Sequence, residues 1–171
     1  MQSRLTTFAY TIGSGFSVAA SSLIGRAIGE KNLSDLIEYR KWCYILSAGT
    51  MTLVTILLAI FSPWIGQLFT QNATVLHLLF IVLLIDTVSQ PFLASVLVDT
   101  STVQSGGNSS FPMIVTIIGI WGVRTLGVYV FAWKLGYGLP AVWLSVAADN
   151  ALRAGLFLWY RRKRFSIKEL A

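Results

Sequence analysis

Asp86, Arg124, Asp149 and Arg153 each interrupt a long apolar stretch of the chain. An ionisable side chain at membrane depth is costly, and it marks either a functional site or a compensated pair. Asp149 and Arg153 have the i, i+4 spacing of a pair on one helix face. Arg124 and Asp149, matched in depth, are nevertheless the pair expected to form, joining two helices while compensating the desolvation of both charges. Asp86 has no evident partner, and Gln90 follows one helical turn later, just before Pro91, which opens a helix hydrogen-bond ladder. A carboxylate so placed can hold a proton or Na⁺. Asp86 and Gln90 are therefore the candidate cation or substrate site, with Asp86 as the metal ligand if the ion is Na⁺.

The elements that must position these groups are membrane helices. Hydrophobic residues make up 55% of the 171-residue chain and charged residues only 12%, well below the roughly 25% charged residues of soluble domains. Leu5 to Gly25 is an uncharged run of 21 residues, about the length needed to cross a hydrocarbon core of roughly 30 Å. Between Lys41 and Asp86 lie 44 residues without a formal charge, interrupted by Pro63 and the polar turn Gln71-Asn72. They belong to two helices. The expected spans are 5–25, 43–62, 75–98, 112–133 and 141–160, with Thr100 to Ser110 as a polar loop and 161–171 as a basic tail. Counted from the cytoplasmic ends of their spans, Asp86, Arg124 and Asp149 lie at one level, about 18 Å deep at 1.5 Å per residue.

The net charge of +6 follows membrane topology and gives no sign of nucleic-acid binding. Arg26, Lys31, Arg40, Lys41, Arg161, Arg162, Lys163, Arg164 and Lys168 fall in the first loop and the tail, with only Arg4 and Lys134 on the opposite side. The positive-inside rule then places the amino terminus outside and the tail in the cytoplasm of a multi-pass cell-membrane protein. Five crossings from an external start, without a signal peptide, imply that preceding helices are missing. Cys43 is the lone cysteine and His77 the lone histidine, which excludes an internal disulfide and leaves no His-rich metal cluster. Gly106-Gly107 lacks the Lys-Ser/Thr of a phosphate-binding loop, and no nucleophile with a base can be assembled, so no enzyme and no cofactor are expected.

Gly13, Ser17, Ser21, Gly25 and Gly29 recur every four residues, a ridge that lets another helix approach closely and that implies a neighbour, in this reading the missing one. Tyr10 and Ser14 are candidates to line a polar cavity, and Trp121 and Tyr129 are candidates to stack on a flat organic cation. Trp64, Trp133, Trp143, Trp159 and Tyr160 read as interfacial anchors.

Several segments resemble the multidrug and toxic compound extrusion family of exporters. Ala20-Ser21-Ser22-Leu23-Ile24-Gly25-Arg26-Ala27-Ile28-Gly29 is similar to the stretch that ends the second helix of each half. Trp64-Ile65-Gly66-Gln67-Leu68-Phe69-Thr70 resembles the close of the following helix. Gln104 to Pro112 is similar to a R-G-x-G-D-T-x-x-P loop, with Asn108 in place of the Asp. Trp121-Gly122-Val123-Arg124 resembles the penultimate helix, and Gly138 to Trp143 with Asp149-Asn150 and Arg153 the last. The resemblance implies an all-α, polytopic membrane bundle, the last five of twelve helices, in which Asp86 matches a carboxylate of the cation or substrate site. It also implies export of organic, often cationic, compounds in exchange for H⁺ or Na⁺. The implied partners are the lipid bilayer, the organic cation, and a missing amino-terminal lobe or another subunit. The alternatives are a lipid-linked oligosaccharide flippase of the same superfamily and a half that does not transport by itself.

Overall fold

The computed structural model describes residues 2–67, 73–130 and 138–164, and among them every regular element is a helix. These are α1 (Gln2–Gly29), α2 (Leu33–Gln67), α3 (Ala73–Ser105), α4 (Ser110–Ile117), which continues into a π-helical segment (Ile118–Thr125), and α5 (Gly138–Arg164). Four helices are long and apolar enough to cross a membrane, over Ser34–Trp64, Thr74–Ser105, Ser110–Val130 and Pro140–Arg162. α1 is not one of those four; Thr11, Ser14, Ser17, Ser21 and Ser22 dilute its apolar residues.

The helices exceed their expected limits. Pro63 lies inside α2, and the polar segment after Asp99 is helical as far as Ser105. That extension is held by hydroxyls that bond back one turn, Ser101 to the Leu97 carbonyl (3.2 Å) and Thr102 to the Val98 carbonyl (2.7 Å). The expected loop therefore shrinks to Gly106–Ser109. Gly107 there has φ +84°, and the Asn108 amide donates to the Val103 carbonyl, which is the left-handed glycine closure of a helix end. α1 ends similarly, with Lys31 at φ 53° and the Asn32 amide donating to the Ala27 carbonyl. Asn32 Oδ1 then accepts the Ser34 amide at 3.1 Å to open α2. Both the turn Gln71-Asn72 and Trp133 fall outside the described residues.

Contacts fix the helix directions. Gly13 packs against Met51 and Leu97, Ser17 shares a hydrogen bond with Ser101, and Ser21 shares one with Ser105. Residue numbers rise together along both helices, so α1 and α3 are parallel. α2 is antiparallel to both: Arg40 meets Asp99 near one end, and Ala59 packs with Leu79 and Leu83 towards the other. Gly119 abuts Asp149 and Arg153, while Gly127 abuts Ser145, so α4 is antiparallel to α5. Alternation puts the α1–α2 turn, the α3–α4 loop and the end of α5 at the same end of the bundle. One cluster, built on Ala20, Ile24, Ala27, Leu36, Cys43 and Val98, lies among α1, α2 and α3 near that end. Another joins Val96, Val103, Val115, Ala154 and Phe157 from α3, α4 and α5. The close neighbour of the α1 ridge is thus α3 of this same chain, which corrects the expectation of a missing helix there; Gly25 and Gly29 have open space where a Cβ would go.

Candidate functional site

Asp86 and Gln90 lie on one face of α3, as their spacing predicts, and both are buried, at 7% and 2% exposure. Gln90 Nε2 donates to Asp86 Oδ2 at 3.0 Å. Gln90 Oε1 is buried and accepts no hydrogen bond from the described residues. Among those residues Asp86 forms no ion pair. A buried carboxylate without a counter-charge, beside an amide oxygen without a donor, has the chemistry to take up a cation or a proton.

Next to this pair α3 is tied to α5. Ser89, 2% exposed, accepts a hydrogen bond from Asn150 Nδ2 at 2.8 Å, and Asn150 is itself buried. In the sequence Asn150 stands out only as part of the Asp149-Asn150 motif, and Ser89 does not stand out at all. Each is a small polar residue in an apolar run, the type that cross-helix hydrogen bonding favours in membranes.

Asp149 and Arg153 form a bidentate pair within α5, with Arg153 Nε donating to Asp149 Oδ1 at 2.7 Å and its second nitrogen to Oδ2. Asp149 is 1% exposed. The expected Arg124–Asp149 pair does not form: Arg124 is exposed and has no ion pair among the described residues. One helical turn brings the Arg153 fork onto Asp149 with no rearrangement of neighbouring helices, and this proximity decides the pairing. The pair lies against α4 at Gly119, where an added Cβ would collide with Asp149 Oδ1 and Arg153 Nε. Gly119 is the second residue of the π-helical segment, which also contains Gly122 and Arg124; glycines weaken the α-helical ladder and let it widen. Thr125 Oγ1 follows the wider register and donates to the carbonyl five residues back, that of Ile120, at 2.8 Å.

The structure adds a third buried carboxylate. Asp99, assigned by sequence to the start of a loop, is 4% exposed within α3. Arg40 Nε of α2 donates to its Oδ1 at 2.7 Å, and Ser95 Oγ donates to its Oδ2 at 3.0 Å. The Ser95–Asp99 spacing was the available signal.

The cavity-lining candidates lie elsewhere. Tyr10, Trp121 and Tyr129 face outwards at 49%, 70% and 54% exposure. The Ser14 hydroxyl turns back on its own helix, donating to the Thr11 carbonyl at 2.7 Å. No group of three or more His, Cys, Asp or Glu side chains gathers among the described residues.

Comparison with known proteins agrees with this architecture. The chain is 28% identical over 163 residues to the uncharacterised transporter YisQ of Bacillus subtilis, covering 95% of this chain and 35% of that protein. It is 28% identical to the probable multidrug resistance protein NorM of Thermotoga maritima, covering 85% of this chain and 32% of the relative. It is 30% identical to multidrug and toxin extrusion protein 1 of Pongo abelii, covering 91% and 27%. The chain thus spans about a third of the length of these curated relatives. The solved structure of the MATE transporter ClbM in complex with Rb⁺ superposes with a TM-score of 0.81 at 19% identity, over 96% of this chain and 38% of that one, which shows a shared fold. The MatE family model matches residues 1–130, and with that match across most of an all-helical membrane bundle, the chain belongs to the multidrug and toxic compound extrusion (MatE) family of transporters.

Proposed function

We propose that this chain is part of a cation-coupled antiporter that exports organic, often cationic, compounds, with H⁺ or Na⁺ exchanged at Asp86. The observation that carries the reading is the Asp86–Gln90 pair: a buried carboxylate without a counter-charge, beside an amide oxygen without a donor. Binding a cation or proton at Asp86 would offset the cost of burying its carboxylate, and releasing it would restore that cost. Two coupled states of one lobe follow from that difference, and a substrate that binds one state better is driven by the ion gradient. The relatives named for multidrug resistance and multidrug extrusion support a broad organic substrate class.

In this reading α1 is a fifth crossing, since its 28 residues reach about 42 Å at 1.5 Å each and it runs parallel to α3. The end that gathers the basic residues faces the cytoplasm. Tyr10, Trp121, Tyr129 and Arg124, exposed on the described bundle, would face the other lobe across a shared cavity, which accounts for polar and aromatic groups on an outer surface. The lobe would contribute one ion site and one wall of that cavity.

The test is Asp86→Asn in a complete transporter carrying this lobe, with dye export and its H⁺ and Na⁺ dependence measured in inverted vesicles. We expect gradient-driven export to fall at least about tenfold, the loss that corresponds to about 1.4 kcal/mol of coupling. Export with unchanged rate and unchanged ion dependence would reject Asp86 as the coupling group.

A further inference from the structure

At the basic end of the bundle three helices bring unequal charges together. Asp99 of α3 is committed on both oxygens, Oδ1 to Arg40 of α2 and Oδ2 to Ser95. Arg161 of α5 follows by one helical turn Phe157, which packs with Val96 and Val103 of α3, and so sits on the side of α5 that meets the Asp99 segment. Neither it nor Arg162 has an ion pair among the described residues. One carboxylate therefore stands against two guanidinium groups, with a third alongside.

The end of α5 is held in place. Tyr160 accepts a hydrogen bond from Asn108 Nδ2 at 2.9 Å and stacks on Phe111 with ring centroids 3.9 Å apart and planes 21° from parallel. Trp42 and Trp159, two residues from Arg40 and from Arg161, are 53% and 57% exposed. Exposed tryptophans flanking cations at the end of apolar helices mark headgroup depth.

We propose that the junction of α2, α3 and α5 binds the phosphate of an anionic phospholipid, gripped by Arg161 and Arg162 with the Asp99-bound Arg40 behind them. Guanidinium forks match phosphate oxygens in bidentate fashion, which a diffuse basic surface does not require. A headgroup is favoured over a free anion because the exposed tryptophans put this end of the bundle at headgroup depth. The inference concerns the surface of the bundle and stands independently of the coupling role of Asp86.

The test uses the full chain purified in detergent micelles, where insertion orientation plays no part, with bound lipid counted by native mass spectrometry. Phosphatidylglycerol should be retained in preference to phosphatidylcholine. Arg161→Gln should weaken phosphatidylglycerol binding roughly fivefold. Lys31→Gln in the α1–α2 turn removes the same charge at the same end and should leave binding unchanged. If Arg161→Gln yields no folded protein by circular dichroism, Arg161→Lys serves instead; losing the fork but retaining the charge should cost about twofold. Equal losses from Arg161→Gln and Lys31→Gln, equal retention of the two lipids, or full displacement of lipid by millimolar inorganic phosphate would each overturn the proposal.

Discussion

At the scale of single residues, the membrane interior punishes an unmatched charge, and the chain answers that demand in two ways. Asp149 is neutralised by Arg153 one turn away, whereas Asp86 receives only an amide. The first arrangement is compensated within its own helix, and the second is the proposed ion site. This contrast makes a testable difference. Removing one partner of a buried ion pair strands the other, at a cost of about 3 to 5 kcal/mol, while removing both is far cheaper. Asp149→Leu and Arg153→Leu should each lower the yield of folded protein from membranes, and the double variant should recover much of it. Strictly additive losses in that double-mutant cycle would show that the two side chains act separately. Both i, i+4 relations were legible in the sequence. The choice between Arg153 and Arg124 for Asp149 was not, because the depth of a residue along its span says nothing about which way its side chain faces.

At the scale of elements, glycine and serine set how closely the helices approach. Ser17 and Ser21 meet Ser101 and Ser105 in one register between parallel helices, and Gly13 continues that register against Leu97. On the other side of the bundle Gly119 receives the Asp149–Arg153 pair at the start of the π-helical segment. Inserting a methyl group into such a site displaces packed neighbours, which typically costs about 1 to 3 kcal/mol. Gly119→Ala should therefore lower the thermal stability of the purified protein, whereas Gly155→Ala, where an added Cβ meets nothing within 4 Å, should be neutral. Equal stability of the two variants would mean that α4 and α5 are not packed as described. The sequence signalled a close-packing ridge on α1 but not its partner. The longer reach of α3 was also hidden: a run of serines and threonines reads as a loop until their hydroxyls find backbone carbonyls and a facing helix.

At the scale of the whole molecule, the described residues form five helices in alternating directions around three packing clusters, and the chain spans about a third of the length of its relatives. Alternating access requires two bundles that move about a shared site. We expect liposomes containing this polypeptide alone to show no gradient-driven efflux of an ethidium-like dye. Efflux that collapses when the H⁺ or Na⁺ gradient is dissipated would show that the chain, by itself or as an oligomer, supplies both bundles.

What the sequence determined by itself was whatever depends on composition and on the period of one helix: membrane residence, the helical class, the Asp86–Gln90 face, and the possibility of an Asp149–Arg153 pair. These follow because 3.6 residues per turn relate neighbours on a helix with no knowledge of anything else. Only the tertiary structure decided which helices meet and in what register. Arg40 and Asp99 are 59 residues apart, Asn150 and Ser89 are 61, and Ser17 and Ser101 are 84. In an apolar solvent many helix pairings bury similar surface, so the winning one is selected by small residues that permit close approach and by polar groups that must find partners across the gap. Those matches belong to two segments at once, and neither segment contains them alone.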